Sequence, residues 1–114
     1  MNLGTIRQEI AAALDTVAGV HGHTHRPAAL NNGDAWPQWR GSEAAGGHST
    51  ESTWAVLIAL PQTDDITADG FVDSHGAALL EALRPVIFVD TIAPAEISTD
   101  AGNFYALLIT GRAE

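Results

Sequence analysis

Residues Thr53 to Leu60 read Thr-Trp-Ala-Val-Leu-Ile-Ala-Leu and stop at Pro61, so any strand they form is apolar on both faces. Such a strand needs cover on two sides, which a central place in a sheet supplies through helices or a neighbouring subunit. In a chain of 114 residues there is room for one domain, and a domain of that size buries about two-thirds of its unfolded surface. The sequence predicts a single domain over residues 1–114 built around this strand, with apolar surface left for contact between subunits.

Two amphipathic segments flank it. Leu3, Ile6, Ile10, Leu14 and Val17 recur at helical spacing, with Arg7, Gln8, Glu9 and Asp15 on other faces, which predicts a helix from Asn2 to Ala18 stopped at Gly19. Val72, His75, Leu79, Ala82 and Leu83 mark the buried face of a second helix that begins near Thr67 and ends before Pro85. Val20 to Arg26 reads as a short strand. Val86–Ile92 and Phe104–Thr110 read as an antiparallel pair joined through Asp100-Ala101-Gly102-Asn103. The element order predicts an α+β fold: a single mixed or antiparallel sheet with two helices packed mainly on one face.

Residues 27–52 stand apart. They are rich in Gly, Asn, Ser and Pro, with Asn31-Asn32-Gly33-Asp34 as a turn and Ala44-Ala45-Gly46-Gly47 as a flexible run, and they read as one long polar loop. Trp36 and Trp39 bracket Pro37 within it, in the manner of a short edge strand. With Arg40 they form the candidate interface, acting either as a lid over the core or as anchors for another subunit, and the loop is expected to order against a neighbour.

Charge narrows the partners. Fourteen acids against five arginines (Arg7, Arg26, Arg40, Arg84, Arg112) and no lysine give a net charge of -9, which opposes the counterion release behind most nucleic-acid affinity. Specific DNA binding is not expected. With no cysteine there is neither a disulfide nor a thiolate metal site. No stretch approaches the roughly 20 apolar residues of a membrane span, and the N-terminus is interrupted by Arg7, Gln8 and Glu9, so the chain is expected to be soluble and made in the cytoplasm.

Chemistry is thin. His21, His23 and His25 alternate and would share one face of a strand, but three in-line positions suit a tetrahedral zinc site poorly, and no acidic partner lies nearby in sequence. His48 sits in the flexible run and His75 on the apolar helix face, where a hydrogen-bonded core histidine is expected. Asp73, Ser74 and His75 are helical neighbours pointing about 100° apart, too divergent for a catalytic triad. The Gly41-Ser42 and Gly46-Gly47 pairs lack the strand, helix and lysine of a phosphate-binding loop. The expectation is a protein with no catalytic residue, no metal and no cofactor.

An N-terminal helix ending near Ala18-Gly19-Val20, the Arg26-Pro27 step, Gly33-Asp34-Ala35-Trp36-Pro37, Thr53-Trp54-Ala55-Val56-Leu57, and Phe88-Val89-Asp90 before Phe104-Tyr105-Ala106-Leu107 together resemble the tail terminator proteins of long-tailed phages infecting actinobacteria. The likeness spans nearly the whole chain through loose structural phrases, and its alanine-rich, lysine-free composition suits a GC-rich host. The resemblance implies a virion subunit that forms a homohexameric ring on the head-proximal end of the tail tube. Such a ring stops addition of tail tube protein, presents its other face to the neck or head-completion connector protein, and passes DNA through its lumen as cargo. A connector of the head-tail junction shares size, acidity and ring symmetry and is the alternative.

Overall fold

The computed structural model describes residues 2–45, 49–62 and 64–113, with backbone alone at residues 44, 45, 49 and 50. Its central feature is Trp54, fully buried in the middle of a five-stranded sheet. The elements run α1 (Leu3–Asp15), β1 (His21–Gly22), β2 (Asp34–Ala45), β3 (Ser49–Ala59), α2 (Asp65–Leu83), β4 (Phe88–Thr99) and β5 (Gly102–Ala113). The sheet order is β1-β2-β3-β5-β4, with β1 parallel to β2 and the other neighbours antiparallel. The fold is α+β, with a single mixed sheet as the sequence predicts.

Register explains which residues become core. Trp54, Val56 and Ile58 of β3 lie opposite Gly111, Ile109 and Leu107 of β5, and opposite Trp39, Pro37 and Ala35 of β2. This face meets Ile6, Ile10 and Leu14 of α1 and Leu79 and Leu83 of α2 in one large cluster. Residues one step along point the other way: Trp36, Leu57 and Ala106 gather with Ile97 in a smaller cluster on the helix-free face, against Leu30 and Phe104. The tip of the β4–β5 hairpin meets the segment before β2 on this side, where an Arg26 guanidinium N–H donates to Ser98 O at 2.9 Å. That contact supplies the second cover that the apolar β3 run requires.

Local chemistry sets the element ends. Asn2 caps α1 by accepting the Thr5 N–H at 3.0 Å, and the helix gives way at Thr16, earlier than the predicted Ala18. The second helix begins at Asp65, two residues before the predicted start near Thr67, because the Asp64 carboxylate caps it by accepting the Thr67 N–H at 2.7 Å. Gly22 lets β1 close on α1: a Cβ there would fall 2.1 Å from Ala11 O. Gly33, with φ at 87°, turns the chain into β2.

Three sequence expectations are corrected. The long loop of residues 27–52 is mostly sheet: β2 occupies Asp34–Ala45 and β3 already begins at Ser49. The turn-forming Gly33 and Asn residues lead into the strand, while Pro37 and Gly41 fall inside it, Pro37 on a stretch of outer edge without a strand neighbour. The predicted Val20–Arg26 strand shrinks to His21–Gly22, since the chain bends away after two paired residues. The final strands run longer than predicted, to a turn at Asp100 and Ala101. Gly46, Gly47 and His48 lie outside the described residues.

Candidate interaction surfaces

The histidines do not converge. His21 is exposed at β1; His23 Nε2 lies 3.0 Å from Asp34 Oδ1; His25 Nδ1 lies 3.1 Å from Thr24 Oγ1. Their divergence follows from the short strand, and among the described residues no group of three or more His, Cys, Asp or Glu is placed to hold a metal ion. Asp34 is the structural centre here. Its other oxygen accepts the Asn31 N–H at 2.9 Å. Burial acts to raise the Asp34 pKa, but the Asn31 N–H and the His23 imidazole outweigh it and hold the carboxyl below its ordinary 3.8.

On α2, Ser74 Oγ does lie 2.8 Å from His75 Nδ1, closer than their separation around the helix suggested. Both groups are also drawn to Phe71 O, at 3.2 and 3.0 Å, and the imidazole stacks on the Phe71 ring with centroids 4.0 Å apart. The histidine is half-buried, where a core position was expected. Among the described residues no hydrogen bond brings Asp73 to the pair, so the geometry is a local cap on one carbonyl.

The two candidate tryptophans separate. Trp36 is 3% exposed and belongs to the core of the helix-free face, whereas Trp39 is 42% exposed and projects on the helix side of β2. Arg40 sits at the bulge between Trp39 and Gly41, exposed, with no hydrogen bond or ion pair among the described residues. The bulge turns it out of the ladder.

Arg7 is a residue that sequence reasoning overlooked. From α1 it reaches past the border of the sheet, donating to Thr24 O at 2.9 Å and to Pro37 O at 3.0 Å, with its guanidinium 5.4 Å from the centre of the Trp54 ring. Arg7, Arg26 and Arg40 line one open groove of about 420 Å³ with His25, floored by Trp36 and Ile97. Three of the five arginines therefore gather at one place in an acidic chain. A lone arginine on an amphipathic helix carries no signal of this; the convergence is long-range.

Two borders of the sheet lack a strand neighbour over part of their length, although Arg7 takes the Pro37 carbonyl on one of them. β1 pairs with β2 only at Asp34 and Ala35, which leaves the outer edge of β2 without a strand from Trp36 onward. β4 forms the other border. Each border carries a proline (Pro37, Pro94) and a bulge (at Arg40 and at Asp90), features that blunt main-chain pairing. Exposed apolar side chains accompany both: Trp39 on one, and Phe88, 67% exposed, with Ile92 on the other. Beside Phe88, Arg112 grips the bulged Asp90 carboxylate with two N–H groups at 2.9 and 3.0 Å.

No protein-family model matches the chain, and no curated protein matches its sequence. Among the described residues no helix is long and apolar enough to cross a membrane.

Proposed function

We propose that this chain is a ring-forming structural subunit of a phage virion, the tail terminator at the head-proximal end of the tail tube. The observation that carries the reading is the pair of unlike open borders, each bearing exposed apolar side chains on opposite sides of one sheet. A subunit with two different contact surfaces associates head to tail, and such contacts close into rings when the rotation permits. The resemblance noted in the sequence supports a homohexamer that caps the tube, halts further addition of tail tube protein and offers a docking face to the connector.

The net charge of -9 per subunit fits a conduit. An acidic lumen repels phosphates, so DNA slides through it as cargo. Side-chain complementarity performs this work, and no bond is made or broken.

Tail length tests the reading. Phage lacking this protein are expected to accumulate headless tails of abnormal and variable length beside filled, unjoined heads, because the tube loses its stop while its own repeating contact still polymerises. Electron micrographs of a deletion lysate showing tails of normal, narrow length distribution would overturn it and favour a connector at the head-tail junction.

A further inference from the structure

Two surfaces of this subunit are dominated by charge of unlike sign. The groove between β2 and the tip of β4 gathers Arg7, Arg26 and Arg40, with Glu96 beside them, over an apolar floor of Trp36 and Ile97. On the other surface, Asp65, Asp69 and Asp73 recur every fourth residue along α2, which sets them on one helix face. Asp69 and Asp73 line a second groove with Ile92 and Pro94 of β4, so the acidic row looks toward the β4 border.

The row is uncompensated within the chain. Among the described residues none of the three aspartates makes a hydrogen bond or an ion pair, although ion pairs elsewhere on the surface join Arg84 to Glu81 and Arg112 to Glu51 and Asp90. Like charges four residues apart oppose each other by a few tenths of a kcal/mol. On the other side Arg40 is equally unpaired among the described residues, held outward by its bulge. Next to the acidic row, Ile66 is 85% exposed on the first turn of α2, an apolar side chain matched in kind to the apolar floor of the arginine groove.

We propose that the acidic face of α2 from one copy of this chain seats in the arginine-lined groove of the next, with Asp69 opposite Arg40 as the central charge pair and Ile66 directed toward the floor at Trp36 and Ile97. The occupant is a second copy, because the chain itself carries both halves of the match on separate surfaces. The contact is heterologous, so each subunit uses one groove and one helix face, and the chain of contacts closes as a ring where the rotation permits. Blunted edges complement this arrangement: Pro37 and Pro94 disfavour strand-to-strand joining and leave recognition to side chains. The pairing rests on the ring reading and names its surfaces.

Charge reversal tests it. Light scattering and sedimentation of the purified full chain are expected to show association that weakens as salt rises from about 0.05 to 0.5 M, as partly exposed ion pairs require. Arg40→Glu and Asp69→Arg alone are each expected to weaken association at least about tenfold, and the two together to restore it to within about threefold of the parent. Both positions are exposed and unpaired among the described residues, and thermal unfolding by circular dichroism checks that each variant folds. A second, milder pair at the same exposed positions, Arg40→Asp with Asp69→Lys, gives a further arm should either first variant unfold. Oligomers insensitive to every reversal, or no recovery in the double variants, would overturn the pairing and leave the ring standing. A parent chain that stays monomeric would overturn both. Tight duplex DNA binding to the groove at physiological salt, abolished by Arg40→Glu, would assign the arginines to phosphate and overturn the pairing as well.

Discussion

The Trp54 indole N–H donates to Ser52 Oγ across 2.8 Å, two residues away on the same face of β3. The Ser52 hydroxyl in turn donates to Ala113 O at 3.1 Å, so a fully buried polar ring edge is satisfied through one small side chain to the end of the sheet's neighbouring strand. A tryptophan can stand at the centre of this core only because its single donor has somewhere to go.

Ser52→Ala removes that partner and leaves a buried indole N–H orphaned. It is expected to lower the free energy of unfolding by about 1–3 kcal/mol. In a Trp54→Phe background the same substitution should cost less, since the orphaned donor is gone. A urea-unfolding double-mutant cycle measures the difference, and equal costs in both backgrounds would show the hydrogen bond to be energetically idle.

Asp34 gives the fold an acid-sensitive element. Its folded pKa lies below 3.8 because the stabilising Asn31 N–H and His23 contacts outweigh the burial that opposes them. A group depressed in the folded state stabilises at pH values above its unfolded pKa and loses that contribution as pH falls from about 4 toward the folded value. Asp34→Asn is therefore expected to be clearly destabilised at pH 7 and to approach the parent as pH falls below 3.8 and through the folded pKa. Parallel stability curves across that window would refute the assignment.

The two tryptophans near Pro37 should respond differently to truncation. Trp36→Ala empties part of the helix-free core and is expected to cost about 3 kcal/mol or more of stability. Trp39→Ala removes a half-exposed ring whose indole N–H donates to Ser42 Oγ at 3.1 Å, so the monomer should unfold within about 0.5 kcal/mol of the parent. If Trp39 contributes to subunit contact, its loss appears in sedimentation as weaker association.

Gly22 is a packing position. An added Cβ would lie 2.1 Å from Ala11 O and 3.1 Å from Leu14 Cβ, so the β1 segment and α1 would have to separate. Gly22→Ala is expected to destabilise by about 3 kcal/mol. Wild-type stability in that variant would show that the β1 segment yields more freely than its packing implies.

The helices and the strand around Trp54 were legible in the sequence because their burial follows a local period: Ile6, Ile10 and Leu14 on α1, Leu79 and Leu83 on α2, and an uninterrupted apolar run on β3. β2 was not. Ala35 and Pro37 face the helices while Trp36 faces away, so its first half lacks polar alternation, and Pro37 and Gly41 imitate loop chemistry. Asp34 read as a turn residue since Asn31-Asn32-Gly33 precede it, and its pairing with His23 depends on β1 lying beside β2. The arginine groove was equally hidden. Its members are spread from α1 to β2, and they meet at one rim because Arg7 reaches across to Thr24 O and Pro37 O while Arg26 reaches the β4 tip at Ser98 O.

Pro37 and Pro94 bear on the accuracy of assembly. A subunit that joined others by a continuous main-chain ladder would hold any partner with a free edge, and a misplaced copy would leave slowly. With a donor missing from each border and a bulge beside it, a mismatched encounter between copies in the proposed ring would retain few main-chain bonds and be short-lived. Only an encounter that also satisfies the side chains lasts. In the proposed ring, errors would thereby be discarded at the stage of pairs, and a short-lived wrong contact is the condition for building a closed object of fixed size.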